Sequence, residues 1–171
     1  MPELPEVETT LKGIEPYIVG QKIIRLIVRQ GSLRWPVTPR MSTIIEQQTV
    51  IEVSRRAKYL IIQLGHGSIL VHLGMSGSLR IAETSMEWRK HDHIELQLAN
   101  GATLRYHDPR RFGCWLWSAE AHQQLQHLGP EPLTADFDGG RLWQLAKSRK
   151  VAVKPFIMDN KVVVGVGNIY A

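Results

Sequence analysis

The sequence predicts an α+β fold, in which an N-terminal antiparallel β-sandwich flanked by helices is followed by the beginning of a helical domain. Short segments rich in β-branched and aromatic residues, with Gly or Asn in several of the gaps, recur between residues 22 and 117. Beyond Ser118 the pattern becomes helical. We therefore expect a sandwich domain over residues 1–130 and a linker with the start of a helical domain over 131–171.

The first element is predicted to be an amphipathic helix. Its apolar residues recur at three- and four-residue intervals: Leu4, Val7, Leu11 and Ile14. Pro5 suits the first turn, and glutamates crowd the N-terminal end, where the helix dipole favours them. Gly13 and Pro16 indicate its decline.

The predicted strands are 22–29, 50–53, 59–64, 69–73, 93–98, 103–107 and 114–117. Asn100-Gly101 is a strong hairpin signal between two of them. Segments 120–128 and 140–148 are predicted to be helical, separated by the turn-rich Gly129-Pro130-Glu131-Pro132. The sequence ends inside the apolar run 162–171 without a cap or polar tail, so we expect an incomplete helical domain.

The composition limits the kinds of partner and of site that this chain can have. Twenty-one Lys and Arg against 16 Asp and Glu give a net charge of +5, which favours a polyanionic partner. The apolar stretches are far shorter than the roughly 18 residues of a membrane span. The N-terminus lacks the pattern of a secretory signal, so we expect a cytoplasmic protein with no membrane partner. The single Cys114 excludes an intramolecular disulfide and any zinc site built on two thiolates within this chain.

Pro2 follows the initiator Met1, and a small residue there permits removal of the methionine. The new N-terminus would be a secondary amine, which can act as a nucleophile at a sugar C1′. Glu3 and Glu6 fall on one side of the helix start, where they could transfer protons. The alternative is that this Pro-Glu pair only begins a helix.

Three cations lie close together at the start of the predicted strand 59–64. In Arg55-Arg56-Ala57-Lys58, strand alternation predicts Arg56 and Lys58 on one face, with a partly desolvated Lys58 amine. Phosphate binding or catalysis competes here with protection of an edge strand against aggregation.

Met75 lies between Gly74 and Gly77, which predicts a tight loop that projects an apolar side chain. Such a Met either enters a base stack or fills the core. The run Asp108–Gly113 adds Arg110 and Phe112, which suit a DNA duplex, although a plain hairpin loop is the alternative.

The remaining candidates are polar. His91 and His93 resemble half of a metal site, but no third ligand is evident, so we expect no metal and favour phosphate bonding by His91. A basic cluster contains Lys147, Arg149, Lys150 and Lys154. These cations either bind phosphates or form an ordinary solvated surface. Gly165-Val166-Gly167-Asn168 is not a dinucleotide fingerprint, because Tyr170 replaces its third glycine. It is instead predicted to be a turn whose amides and Asn168 side chain approach a phosphate.

Five segments in order resemble the bacterial formamidopyrimidine-DNA glycosylases, of the formamidopyrimidine-DNA glycosylase/endonuclease VIII family. They are MPELPEVET (1–9), RRAKYL (55–60), HLGMSGSLR (72–80), DPRRFG (108–113) and DNKVVVGVGNIYA (159–171). The resemblance extends over essentially the whole chain and implies a base-excision repair enzyme. Such enzymes remove 8-oxoguanine and formamidopyrimidines from duplex DNA and then cleave the strand as lyases.

The resemblance also implies roles for individual residues. Pro2 would be the Schiff-base nucleophile, Glu3 its acid/base partner with Glu6 in support, and Lys58 a DNA contact that assists elimination. The residues that fill the gap left by the flipped base would be Met75, Arg110 and Phe112. The phosphate contacts would be His91, Arg149 and Asn168, with Lys154 added from the basic cluster.

Members of this family continue through a helix–two-turns–helix domain to a four-cysteine zinc finger. With one cysteine, this chain is expected to hold no cofactor, and zinc is expected in the finger that the sequence lacks. We expect a monomer of the bacterial cytoplasm, associated with the nucleoid, whose partner is duplex DNA with oxidised purines or abasic sites. The chain would bind DNA weakly by itself, and a non-catalytic DNA-binding fragment is the alternative function.

Overall fold

The computed structural model describes residues 2–171, in which two antiparallel sheets pack with a long helix and precede a region of short helices. The helices are α1 (Leu4–Ile18), α2 (Met41–Ile45), α3 (Gly139–Ala146) and α4 (Val153–Met158). The strands are β1 (Ile23–Val28), β2 (Glu52–Arg56), β3 (Tyr59–Leu64), β4 (Gly67–His72), β5 (Ser78–Glu83), β6 (Asp92–Leu98), β7 (Ala102–His107) and β8 (Cys114–Ser118). The predicted α+β class is confirmed.

Each sheet has four strands, in the orders β1-β6-β7-β5 and β2-β3-β4-β8. Alternation along β3 buries Leu60, Ile62 and Leu64 between exposed or half-buried neighbours. The main apolar core draws on both sheets and on α1, and includes the fully buried Trp115. The hairpin predicted at Asn100-Gly101 joins β6 to β7, and Gly101 has a φ of +85°.

Helix α1 buries the predicted apolar stripe of Val7, Leu11 and Ile14. It continues past Pro16, where the sequence indicated its end, as far as Ile18. Ile18 is completely buried, so packing against the core compensates for the backbone hydrogen bond that the proline cannot donate.

Several predicted elements differ from the observed ones. Strand β5 was not predicted, and neither were α2 and α4. The helix expected over 120–128 is only a 3-10 turn at Gln123–Leu125, none of whose residues is buried. Without an apolar face against the core, a helix of this length is not stable in water.

The region after Pro130 has a small core of its own around Phe156, Val162 and Val163. The apolar run 162–171 forms neither helix nor strand. It returns to the start of the chain, where the Leu4 amide donates to the Gly165 carbonyl over 3.4 Å. Between residues 2 and 171, no helix is long and apolar enough to cross a membrane.

Candidate functional site

The first turn of α1 carries a buried carboxylate. Glu3 is the helix N-cap, only 1% exposed, and its carboxylate accepts hydrogen bonds from three backbone amides. The donors are Gly167 at 3.2 Å, Ile169 at 2.6 Å and Tyr170 at 3.1 Å. The 167–170 turn therefore holds Glu3 in one orientation beside the half-buried Pro2.

Glu6 completes a capping box with Glu3. Its exposed carboxylate accepts a hydrogen bond from the Glu3 amide at 2.9 Å and another from the Tyr170 hydroxyl at 2.9 Å. The Tyr170 hydrogen bond is the main reason why the pKa of Glu6 is lowered from its usual value. Glu6 is therefore an ionised acceptor next to the start of the chain.

These contacts correct one part of the prediction for Gly165–Asn168, the binding of a phosphate by the Gly167 amide. The amide of Gly167 donates to Glu3 and is not free for a phosphate. A Cβ at this glycine would overlap the Glu3 carboxyl group, which explains why the position has no side chain. Asn168 itself is exposed, and its carbonyl accepts a hydrogen bond from the Lys154 ammonium at 2.9 Å.

Lys58 lies in the tight turn between β2 and β3, immediately after Ala57, whose φ is +52°. Its amine is half-buried, and this desolvation lowers the pKa of Lys58. The charges of Glu3 and Glu6 oppose part of the shift, which places Lys58 within electrostatic reach of both carboxylates.

Strand alternation does not govern this segment, so the prediction that Arg56 and Lys58 share a strand face is wrong. Arg56 ends β2, whereas Lys58 belongs to the turn. The Arg56 guanidinium donates to Glu131 at 3.0 Å and to the carbonyls of Leu128 and Gly129 at 3.1 and 2.6 Å. Arg56 therefore attaches the second region (residues 131–171) to the sandwich.

A cavity of about 680 Å³ opens beside Lys58. Its lining combines sandwich residues with residues of the second region: Arg34, Ala57, Lys58, Tyr59, His72, Gly74, Met75, Phe112, Leu128, Met158, Asn160, Val166 and Gly167. Burial, with the charges of Arg34 and Lys58, lowers the pKa of His72 to about 4. His72 is therefore neutral at pH 7, and its Nδ1 accepts the Gly74 amide at 2.9 Å.

Among the polar side chains of this lining, sequence reasoning assigned no role to Arg34, Tyr59, His72 and Asn160. Tyr59 and His72 are paired across β3 and β4, with their rings 4.8 Å apart. The signal for His72 was its position directly before the Gly-flanked Met75 loop. Arg34 and Asn160 lie in irregular segments that offer no such pattern.

Two exposed apolar side chains stand at the mouth of the cavity. Met75 is 39% exposed in the Met75 loop (residues 73–77), and Phe112 is 46% exposed in the Phe112 loop (residues 108–113). The core-filler alternative does not apply to this Met. The Arg110 guanidinium lies 4.8 Å from the centre of the Phe112 ring.

The remaining candidates are His91 and two cations that follow α3. The His91 and His93 rings are 6.1 Å apart, and buried His93 shares a hydrogen bond of 2.8 Å with the Asp108 carbonyl. No group of three or more metal-ligating side chains occurs between residues 2 and 171. Arg149 and Lys154 are exposed in the second region, and Arg149 lies 5.6 Å from the Phe156 ring.

The sequence and the fold match known proteins over both regions. The formamidopyrimidine-DNA glycosylase N-terminal domain matches residues 1–115, and the formamidopyrimidine-DNA glycosylase H2TH domain matches residues 128–171. The formamidopyrimidine-DNA glycosylase of Escherichia coli O7:K1 is 57% identical over 173 residues, which cover 100% of this chain and 64% of the relative. That of Escherichia coli O6:H1 is 56% identical with the same coverage.

Solved structures agree with this assignment. Lactococcus lactis formamidopyrimidine-DNA glycosylase, non-covalently bound to DNA containing an AP site, matches with a TM-score of 0.89 at 33% identity, over 99% of this chain and 66% of that one. A MutM complex with DNA containing carbocyclic 8-oxoguanine matches with a TM-score of 0.89 at 32% identity, over 99% of this chain and 66% of that one. This chain, spanning about 64% of the length of its curated relatives, belongs to the formamidopyrimidine-DNA glycosylase family.

Proposed function

We propose that this chain contains the nucleophile of a DNA base-excision repair glycosylase with AP lyase activity, acting on oxidised purines in duplex DNA. One observation carries the proposal. The backbone amides of Gly167, Ile169 and Tyr170 hold the Glu3 carboxylate beside Pro2, with Glu6 and Lys58 close by. A surface helix does not need such a buried, oriented carboxylate at its first turn.

The chemistry begins with the Pro2 amine once Met1 has been removed. Its nitrogen attacks C1′, and the damaged base leaves with the electron pair of the glycosidic bond. The Glu3 carboxylate takes the amine proton. The bond between C1′ and O4′ then breaks to give an iminium ion, and Glu3 passes that proton to O4′.

The positive iminium acidifies the proton at C2′. A base removes this proton, its electron pair forms a double bond between C2′ and C3′, and the 3′ phosphate leaves. The lowered pKa of Lys58 makes its neutral amine more accessible than that of an ordinary lysine, so Lys58 suits this proton transfer.

Access to C1′ requires that the damaged nucleotide leave the duplex, at a cost of a few kcal/mol. Met75 and Phe112 are exposed apolar groups that can fill the resulting gap, with Arg110 beside the Phe112 ring. His91, Arg149, Lys154 and Asn168 are proposed as phosphate contacts. The net charge of +5 favours this polyanionic partner.

The amine mechanism itself needs no cofactor. The zinc implied by the family does not fit the residues of this chain, because its single cysteine, Cys114, is completely buried in β8. We therefore propose that zinc in the whole protein is bound outside these 171 residues. We also propose a monomer that works in the bacterial cytoplasm, at the nucleoid.

Borohydride trapping tests the proposal. The purified chain, shown by intact mass to lack Met1, is incubated with a duplex containing an abasic site and reduced, and the adduct is mapped. The proposal expects an adduct at Pro2 that persists in Lys58→Met, the variant without the nearby amine. An adduct that maps to Lys58 would contradict it. No adduct, while a full-length relative is trapped normally, would instead support a non-catalytic DNA-binding fragment.

A further inference from the structure

A buried carboxylate organises the Phe112 loop. Asp108 is completely buried, and its Oδ2 accepts the Tyr106 hydroxyl at 2.7 Å and the Gly113 amide at 2.9 Å. Its Oδ1 accepts the Arg111 amide at 3.1 Å, and Arg111 has a φ of +58°. Asp108 therefore defines the path of the backbone on both sides of Phe112.

Ser76 connects this arrangement to the Met75 loop. Its hydroxyl donates to Asp108 Oδ1 at 2.7 Å and accepts the Arg110 amide at 3.0 Å. Within residues 2–171, these two hydrogen bonds are the only ones that join the Met75 loop to the Phe112 loop. One hydroxyl therefore links the two segments that carry the exposed apolar side chains.

The loops also touch through their backbones. Gly74 has a φ of +63°, and a Cβ there would lie 2.5 Å from the Phe112 carbonyl carbon. This close contact brings the loops together. Because van der Waals contact is not directional, it does not set the offset of one loop along the other. Hydrogen bonds at 2.7 and 3.0 Å do impose a direction, so Ser76 sets the offset of one loop along the other.

We propose that Ser76 is a positioning residue that holds the Met75 and Phe112 loops as one rigid unit, so that Met75 and Phe112 enter a DNA duplex together. The effect on DNA rests on the proposed function above. The rigidity of the loops does not, and it can be measured without DNA.

Hydrogen exchange in the free protein tests the link itself. Ser76→Ala removes the acceptor of the Arg110 amide, and we expect roughly tenfold faster exchange of the amides of residues 110–113, as for the loss of one or two hydrogen bonds. Ser76→Thr, which keeps the hydroxyl, should restore slow exchange. Ser78→Ala, an exposed serine two residues away, is the matched control and should change nothing in this loop. Equal exchange in Ser76→Ala and the wild type would overturn the proposal.

A duplex with a tetrahydrofuran abasic analogue opposite 2-aminopurine tests the consequence. Unstacking of the 2-aminopurine raises its fluorescence, and we expect Ser76→Ala to reduce this rise at least threefold at saturating protein. The salt dependence of binding should stay unchanged, because the phosphate contacts remain. A full rise in Ser76→Ala, together with faster exchange, would overturn the role in DNA. A wild-type chain that binds no DNA would contradict the proposed function. Hydrogen exchange would still show whether Ser76 links the two loops.

Discussion

The amide nitrogen of Ile169 lies 2.6 Å from Oε1 of Glu3, although 166 positions separate the two residues in the sequence. The carboxylate beside the N-terminus is thus oriented by the last residues of the chain. Its orientation depends on the correct packing of both regions, and this dependence can be tested.

Replacing Gly167 with Ala is expected to disturb Glu3 directly. The new Cβ would overlap the Glu3 carboxyl group, so the carboxylate must move away from the amides that bind it. We expect a stability loss of about 1–3 kcal/mol by urea denaturation and at least tenfold less trapping on abasic DNA. Gly13→Ala is the matched control, because its Cβ meets no atom within 4 Å in the exposed part of α1. That control should gain roughly 0.5–1 kcal/mol, whereas unchanged trapping in Gly167→Ala would contradict the assigned role of Glu3.

Replacing Lys58 with Met is expected to stabilise the protein at pH 7. The lowered pKa means that folding disfavours the charged amine, so the wild type carries a penalty that Met does not. Because the amine is only half-buried, we expect a gain of up to about 1 kcal/mol. The gain should shrink as pH rises through the lowered pKa and should vanish well above 10.5, where the amine is neutral in both states. A gain that persists at high pH in urea denaturation would indicate simple apolar packing instead.

The wild type should lose stability between pH 6.5 and about pH 4 through His72. Its pKa is lowered from 6.5 to about 4, so the unfolded chain binds a proton that the folded one does not. We expect this residue to contribute about 2–3 kcal/mol of the loss. His72→Asn keeps an acceptor for the Gly74 amide but does not titrate, and its stability should fall less over the same interval. Parallel pH curves for the two proteins would rule out His72 as the cause.

Glu131 is expected to be the main attachment between the sandwich and the second region. Its carboxylate accepts the Ala57 amide at 2.7 Å and binds Arg55 and Arg56 at 2.8 and 3.0 Å. Glu131→Gln should cost about 1–3 kcal/mol at pH 7, since it removes the counter-charge of Arg56 and leaves Arg55 with Glu8 alone. These contacts lower the pKa of Glu131, so its stabilisation is lost as pH falls from 4.5 through the lowered pKa.

The variant should therefore approach the wild type in acid. Glu120→Gln, an exposed glutamate after β8, is the control and should have little effect. Limited proteolysis should also cleave residues 126–132 faster in Glu131→Gln than in the wild type at pH 7, which would show the loss of stability locally. If Glu131→Gln is as stable as the wild type at pH 7, this attachment contributes little.

Local patterns were sufficient for much of the fold. The apolar period of α1, the alternation of β3 and the Asn100-Gly101 turn all depend on neighbours in the sequence, and the predicted segments match. Strand β5 was missed because it follows directly on the Gly-flanked loop and its burial does not alternate strictly: half-buried Arg80 and Ile81 separate the buried Leu79 and Ala82. Helix α2 is only five residues long, so its stability comes from burial of Met41 and Ile45 and not from a visible period.

The sequence by itself determined the fold class, the family resemblance and the types of residue available for chemistry, because each depends on composition and short spacings. Only the tertiary structure decided how those groups are held. It gave Glu3 the amides of the 167–170 turn, engaged Arg56 with Glu131 and placed Ser76 between two loops. Hydrogen bonds are short and directional, and these partners lie far apart along the chain, so no local pattern specifies them.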